Sequence, residues 1–199
     1  DVGSVKGSCD HRTSFCDEDC YNVKLYRMYP NMGKRDERCE HEWQQVSGDA
    51  VRLYLSRKKK QTERARHMTR GEAIKDLPDV YRVKEIALAT PETVWWVPTR
   101  AWRNTLLREL IQIELFPIAN IALNASLDPS NTQEEEDSLI DDGWNIMYFG
   151  DDTKYAGKGE AFKCPKTWKK LSGHCAVCKA GCFSQTTIGK RVTVHLSSH

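Results

Sequence analysis

The sequence has no long apolar run, no excess of either charge, and no cysteine anywhere from residue 40 to residue 163. Each absence excludes something. Without some 20 consecutive apolar residues, no helix of this chain is expected to span a bilayer. Thirty Lys and Arg against 28 Asp and Glu leave a formal charge of +2, so nucleic-acid binding through bulk charge is not indicated. No charged-then-apolar leader opens the chain, and no secretory signal is expected. Eight cysteines in 199 residues are about 4%, well below the roughly 8% of disulfide-built scaffolds. A hydrophobic share of 39% is enough for a real core, and the length suits one domain over residues 1–199.

Between the cysteine-bearing ends the chain reads as alternating strand and helix. Glu42–Asp49, Val94–Arg100, Ile121–Asp128, Asn145–Asp151, Ala161–Cys164 and Arg191–Leu196 are expected strands. Most are nearly continuous apolar runs, which suits strands buried on both faces of a parallel sheet. Helices are expected over Cys16–Met28, Leu77–Ala89, Asn104–Leu115 and Glu134–Gly143. Loops of this length between such elements imply βα units. The expected fold class is therefore α/β, with mostly parallel βα units, a partial (β/α) barrel and a Cys-rich C-terminal metal-binding segment. The basic stretch from Arg57 to Arg70 reads as an exposed helix or loop, solvated or touching a phosphate backbone.

Polar groups gather where the expected strands end: Ser47 and Asp49, Thr99 and Arg100, Ser126 and Asp128, Asp151 and Asp152. Sites in barrels and open α/β sheets form at the carboxyl ends of strands. Turn formers and helix caps use the same Ser, Thr and Asp, but Arg100 is not a capping residue. Asp49, Arg100 and Asp128 are the catalytic candidates. Arg100 would hold an anionic group. Asp49 or Asp128 would act as general base if burial raises its pKa. If Val94–Arg100 is a strand, Trp95 and Trp96 point to opposite faces and one lines the site. His195 and His199 read as tail residues.

The cysteines fall into two clusters. Cys164-x10-Cys175-x2-Cys178-x3-Cys182 brings four thiols within 19 residues, the ligand set of a [4Fe–4S] cluster or of tetrahedral zinc. Pro165 after the first cysteine fits an iron–sulfur pattern, and only one zinc-like Cys-x2-Cys knuckle is present. Both fillings stay open, with iron–sulfur preferred. Cys9, Cys16 and Cys20 offer three further thiols for a second site, which Cys39, His11 or His41 would close. Their spacing is not the Cys-x3-Cys-x2-Cys of radical enzymes. The alternative is ordinary buried thiols.

Taken in order, Cys16…Cys20-Tyr21, Val46-Ser-Gly-Asp49, Trp96-Val-Pro-Thr-Arg-Ala-Trp-Arg103, Ser126-Leu-Asp128 and Cys164-Pro165…Cys175…Cys178…Cys182 together resemble the phage gene product 88 family over nearly all of the chain. The resemblance implies a viral protein working in the cytoplasm of an infected bacterium. It also implies an iron–sulfur cluster on Cys164, Cys175, Cys178 and Cys182, and a partial barrel distantly similar to radical S-adenosylmethionine enzymes. It marks Ser47, Asp49, Thr99, Arg100, Ser126 and Asp128 as motif positions.

Three functions follow as expectations. The first is an iron–sulfur protein with an active site at the strand ends, acting on an unidentified substrate or redox partner. The second is a non-catalytic electron or cluster carrier. The third is a zinc-stabilised module whose basic segment touches nucleic acid.

Overall fold

The computed structural model describes residues 9–58, 61–67, 71–150, 153–155, 161–168, 175, 178, 180–183 and 192–197. Four helices come first: α1 (Ser14–Asp19), α2 (Tyr21–Met28), α3 (Pro30–Gln45) and α4 (Gly48–Ser56). Strand and helix then alternate as β1 (Arg64–Arg66), α5 (Leu77–Ala89), β2 (Val94–Thr99), α6 (Thr105–Glu114), β3 (Ile121–Leu127), α7 (Gln133–Asp141) and β4 (Asn145–Gly150). The chain closes with β5 (Phe162–Lys163), α8 (Pro165–Trp168) and β6 (Thr193–Ser197). All pairings are parallel, in the order β1-β2-β3-β4-β6-β5. The sheet curls into half a barrel. The α/β class and partial barrel read from the sequence are what the structure has.

Local chemistry starts the helices of the alternating region. Asp76 accepts from the Asp79 amide and Pro78 sits in the first turn of α5, where its missing N–H costs nothing. Asn104 accepts from Leu107 N at the start of α6. Thr132 and Glu135 cap each other's backbone in a reciprocal box at the start of α7.

Alternation along each strand sorts the side chains between two faces. Trp95 and Val97, then Ile121, Leu123, Ala125 and Leu127, then Ile146 and Tyr148 join one apolar core with Val83 and Ile86 of α5, Ile111 of α6 and Leu139 of α7. Each fully buried side chain of this size stabilises the fold by about 1.5–3 kcal/mol. Trp96, Ala122, Asn124, Ser126, Met147 and Val194 are also buried, but lie outside that core. They form the inner face, with Arg64 and Arg66 at one edge, since Arg66 is in register with Trp96.

Four expectations need correction. The segment Glu42–Asp49 is not a strand. It spans the end of α3, Ser47 as the cap of α4, and the first turn of α4. Its apolar residues, Trp43 and Val46, are three apart, a helical spacing. Gly48 lets α4 press on α5, because a Cβ there would stand 2.7 Å from Glu85 O. The expected single helix Cys16–Met28 breaks at Cys20, whose backbone is extended. The basic stretch contains a strand, β1, in which Ala65 packs on the core while Arg64 and Arg66 face the other way. His195 is not in a loose tail: it is fully buried in β6, with the rings of Tyr148 and Tyr155 edge-on at 5.2 and 5.6 Å. His199 lies outside the described residues.

Candidate functional site

Arg100 follows directly on β2 and Asp128 directly on β3, so parallel pairing of the two strands brings them together at the carboxyl rim. Arg100 Nη2 donates to Asp128 Oδ2 at 2.9 Å. The same oxygen accepts from Thr13 Oγ1 at 2.6 Å. The other carboxylate oxygen accepts from the Ser130 amide and hydroxyl at 3.0 and 2.6 Å. Burial pushes the Asp128 carboxyl up, but the Ser130 and Thr13 hydroxyls, the Arg100 charge and the Ser130 amide outweigh it, and the pKa is lowered. The expected direction is thus reversed: Asp128 stays ionised and orients Arg100.

A second carboxylate braces the rim from behind. Glu72 is buried and accepts from Arg100 N at 2.7 Å and from Ile74 N at 3.2 Å. Burial raises its pKa despite hydrogen bonds from Arg100 N, the Thr99 hydroxyl and Ile74 N and the charge of His11. Thr99 in turn accepts from Ala101 N, which shapes the turn after β2. The Arg100 backbone is therefore fixed by Glu72 and its head by Asp128, while Nε is buried without a hydrogen-bond partner among the described residues.

Helix α1 lies across this rim. Thr13 caps it and also donates to Asp128, and Cys16 Sγ stands 3.4 Å from Thr13 Oγ1. Phe15 meets Phe149 of β4 edge-on at 5.9 Å. Gly150 ends β4 at φ 139°, and a Cβ there would stand 2.6 Å from Pro129 Cδ. Only glycine fits that approach.

The C-terminal cysteines gather over the inner face, held by backbone contacts on three strands. Cys164 follows β5 and its amide donates to His195 O of β6 at 2.9 Å. Arg64 of β1, at the opposite edge of the sheet, donates from Nη1 to Cys175 O at 3.0 Å and to Cys178 O at 3.4 Å. Asn124 of β3, in the middle of the sheet, donates to Cys182 O at 3.2 Å. The Phe183 ring rests on Trp96 at 5.9 Å, with Arg64 Cζ 5.3 Å from its centroid. The described cysteines of this strap thus touch β6 towards one side of the sheet, β1 at the other and β3 between them.

The Cys182 thiol senses its surroundings. Burial pushes the Cys182 thiol up to about 12, assisted by the charges of Cys164, Cys178 and Cys175. A bound cation reverses that logic by drawing the thiolates out. None of the eight cysteines is in a disulfide. Among the described residues, no three His, Cys, Asp or Glu side chains already stand at metal-holding distances, so the thiols are neighbours rather than a finished cage. The donor set itself, four thiols with Cys175 exposed and the other three half-buried, fits a [4Fe–4S] cluster or zinc.

The sequence model of gene product 88 matches residues 2–162. The chain belongs to the gene product 88 family, a phage gene product family. That match takes in α1 to α7 and the Arg100–Asp128 rim, and it stops two residues short of Cys164. No curated protein and no solved structure matches the chain. No helix among the described residues is long and apolar enough to cross a membrane.

The remaining sequence candidates scatter. Ser47 caps α4 by accepting from Ala50 N. Asp49 points to solvent from the first turn of α4 and pairs with Arg52 at 2.9 Å; no strand delivers it to the rim. Ser126 is buried on the inner face, and its carbonyl accepts from Trp102 Nε1. Asp151 and Asp152 lie outside the described residues. Of the N-terminal trio, Cys16 lies at the rim beside Thr13, Cys9 O accepts from Arg12 N, and Cys20 joins α1 to α2. His11 Nε2 contacts Lys75 O, and His41 pairs with Gln45 within α3.

Sequence reasoning missed Thr13, Glu72, Asn124 and Arg64. Thr13 followed by acidic Asp17 is a readable helix start. Asn124 and Arg64 act through register and strand order, and Glu72 through the loop before α5, none of which a local pattern carries.

Proposed function

We propose that this chain is an iron–sulfur protein that holds a [4Fe–4S] cluster on Cys164, Cys175, Cys178 and Cys182. The observation that carries the reading is the convergence of these four cysteines over one sheet face, held from β1, β3 and β6. When bound, the cluster supplies one-electron redox chemistry or Lewis acidity. The chain's own part is to hold the thiol-bearing peptide against the inner face and to present Arg100 at the neighbouring rim. Arg100 is preset by Glu72 and Asp128 and keeps the Nε donor for an anionic substrate or the acidic surface of a redox partner. The reducing cytoplasm of an infected bacterium keeps such thiols available.

The test is elemental. Iron, sulfide and zinc are measured per chain on anaerobically purified protein, with an EPR spectrum after reduction. About four iron and four sulfide per chain are expected for one cubane. One zinc without sulfide would replace the redox reading with a structural knuckle. With the cluster loaded, Arg100→Ala should leave its spectrum intact while abolishing turnover or partner reduction. An unaffected reaction would remove the rim from the site.

A further inference from the structure

Five tryptophan side chains are described, and their indole N–H groups meet different ends. Trp43 donates to Asp79 at 2.9 Å, Trp95 to Thr90 at 2.8 Å and Trp102 to Ser126 O at 3.2 Å. Trp144 is buried in the outer core with its ring against Phe116, and among the described residues its Nε1 has no acceptor. Trp96 differs in its place, on the inner face against Phe183. It is 8% exposed, and its Nε1 is likewise buried with no hydrogen-bond partner among the described residues. A buried donor without an acceptor destabilises the fold. Native proteins keep few of them, and each calls for an explanation such as a bound group.

The surroundings of Trp96 are specific. It stands on the inner face of β2 in register with Ala122. Asn124, two residues further along β3 on the same face, holds Cys182 O. Phe183, the residue after Cys182, rests on the Trp96 ring. Arg66 covers another side of the indole, with Cζ 4.3 Å from the ring centroid. Backbone, neighbouring ring and cation thus hold the indole against the peptide that bears the thiols. N–H groups near cluster sulfurs set reduction potentials by stabilising the more negative, reduced form.

We propose that Trp96 donates its indole N–H to a sulfur of the group held by Cys164, Cys175, Cys178 and Cys182, and thereby raises that group's reduction potential. The inference rests on the iron–sulfur reading above. Trp96 is a positioning and tuning residue in it, not a ligand.

The experiment compares Trp96→Phe with the parent chain after anaerobic purification, reading iron and sulfide content first and midpoint potential second. Phe keeps the ring and removes only the donor. Equal loading is expected, with the variant's potential more negative by the equivalent of about tenfold in the redox equilibrium, or ~59 mV for one electron. Equal loading with equal potentials overturns the proposal while leaving the cluster in place. A parent chain without iron and sulfide overturns the iron–sulfur reading itself, and the inference with it. If the variant fails to fold or load, the parent protein decides. With 15N-labelled tryptophan indole, pulsed EPR of the reduced cluster should show a nitrogen coupling at hydrogen-bond range, and its absence overturns the proposal.

Discussion

The two faces of the half-barrel are built on different principles. The outer face is closed by α5, α6 and α7, each lying between the strands it covers, and its contacts are almost wholly apolar. The inner face is closed by segments from far along the chain: α1 before the sheet and the cysteine strap after it. Its contacts are hydrogen bonds, rings and thiols. The outer face stabilises through area, which tolerates volume-conserving change. The inner face depends on individual polar contacts, where losing one partner strands the other. A fold can place its stability on one side of a sheet and leave the other side free for chemistry.

Breaking the inner face at its strap should have the largest effect. Four-thiolate sites contribute on the order of 10 kcal/mol to folding in zinc peptides. Cys178→Ser should therefore lose both bound metal and soluble, folded yield, read by elemental analysis and thermal melting. A fully loaded and equally stable variant would show that the ligand set is different. On the outer face, Ile111→Ala removes a fully buried side chain and should cost about 2–5 kcal/mol. Denaturant melts should register this while metal content per folded chain stays constant, and a matching loss of metal would show that the two faces are not independent.

The rim should respond more weakly and with a definite pH dependence. Asp128→Asn removes the ion pair with Arg100, which is 22% exposed, and should cost about 1–3 kcal/mol at neutral pH, less than a fully buried pair would. The folded pKa of Asp128 is depressed. Its contribution is therefore fully present above the unfolded value of about 3.9 and is lost as pH falls through the lower folded value. Parent and variant stabilities should converge in acid below about pH 3.9 and separate above it; a constant gap in urea melts across that range would contradict the assignment. The smallest effect belongs to Asp49→Ala. Asp49 is 82% exposed in its pair with Arg52, and such pairs contribute little. Melting temperature and metal content should both stay unchanged.

Much of the outer face was legible. β2, β3 and β4 announce themselves as apolar runs, and α5, α6 and α7 carry period, caps and breakers where expected. The Arg100 and Asp128 candidates follow, because each directly succeeds one of those strands. Failures came where packing overrides pattern. The one apolar residue of β1 sits between two arginines, so charge hid the strand. Trp43 and Val46 suggested a strand because aromatic and branched residues favour strands, yet their spacing serves α3. Asn124 and Arg64 gain their roles from strand register, and Glu72 gains its role from the loop before α5. The swap of β5 and β6 in the sheet leaves no local trace either.

That swap orders events in time. Strand β5 pairs with β6, and β6 is the strand that lies against β4. Cys164 is anchored on His195 of that same β6, yet residue 195 is synthesised after every cysteine. A ribosome making this chain has synthesised all eight cysteines before the strand that aligns the first of the last four exists. The outer face can begin to condense during synthesis, whereas the thiol assembly is completed only as β6 slides into the sheet.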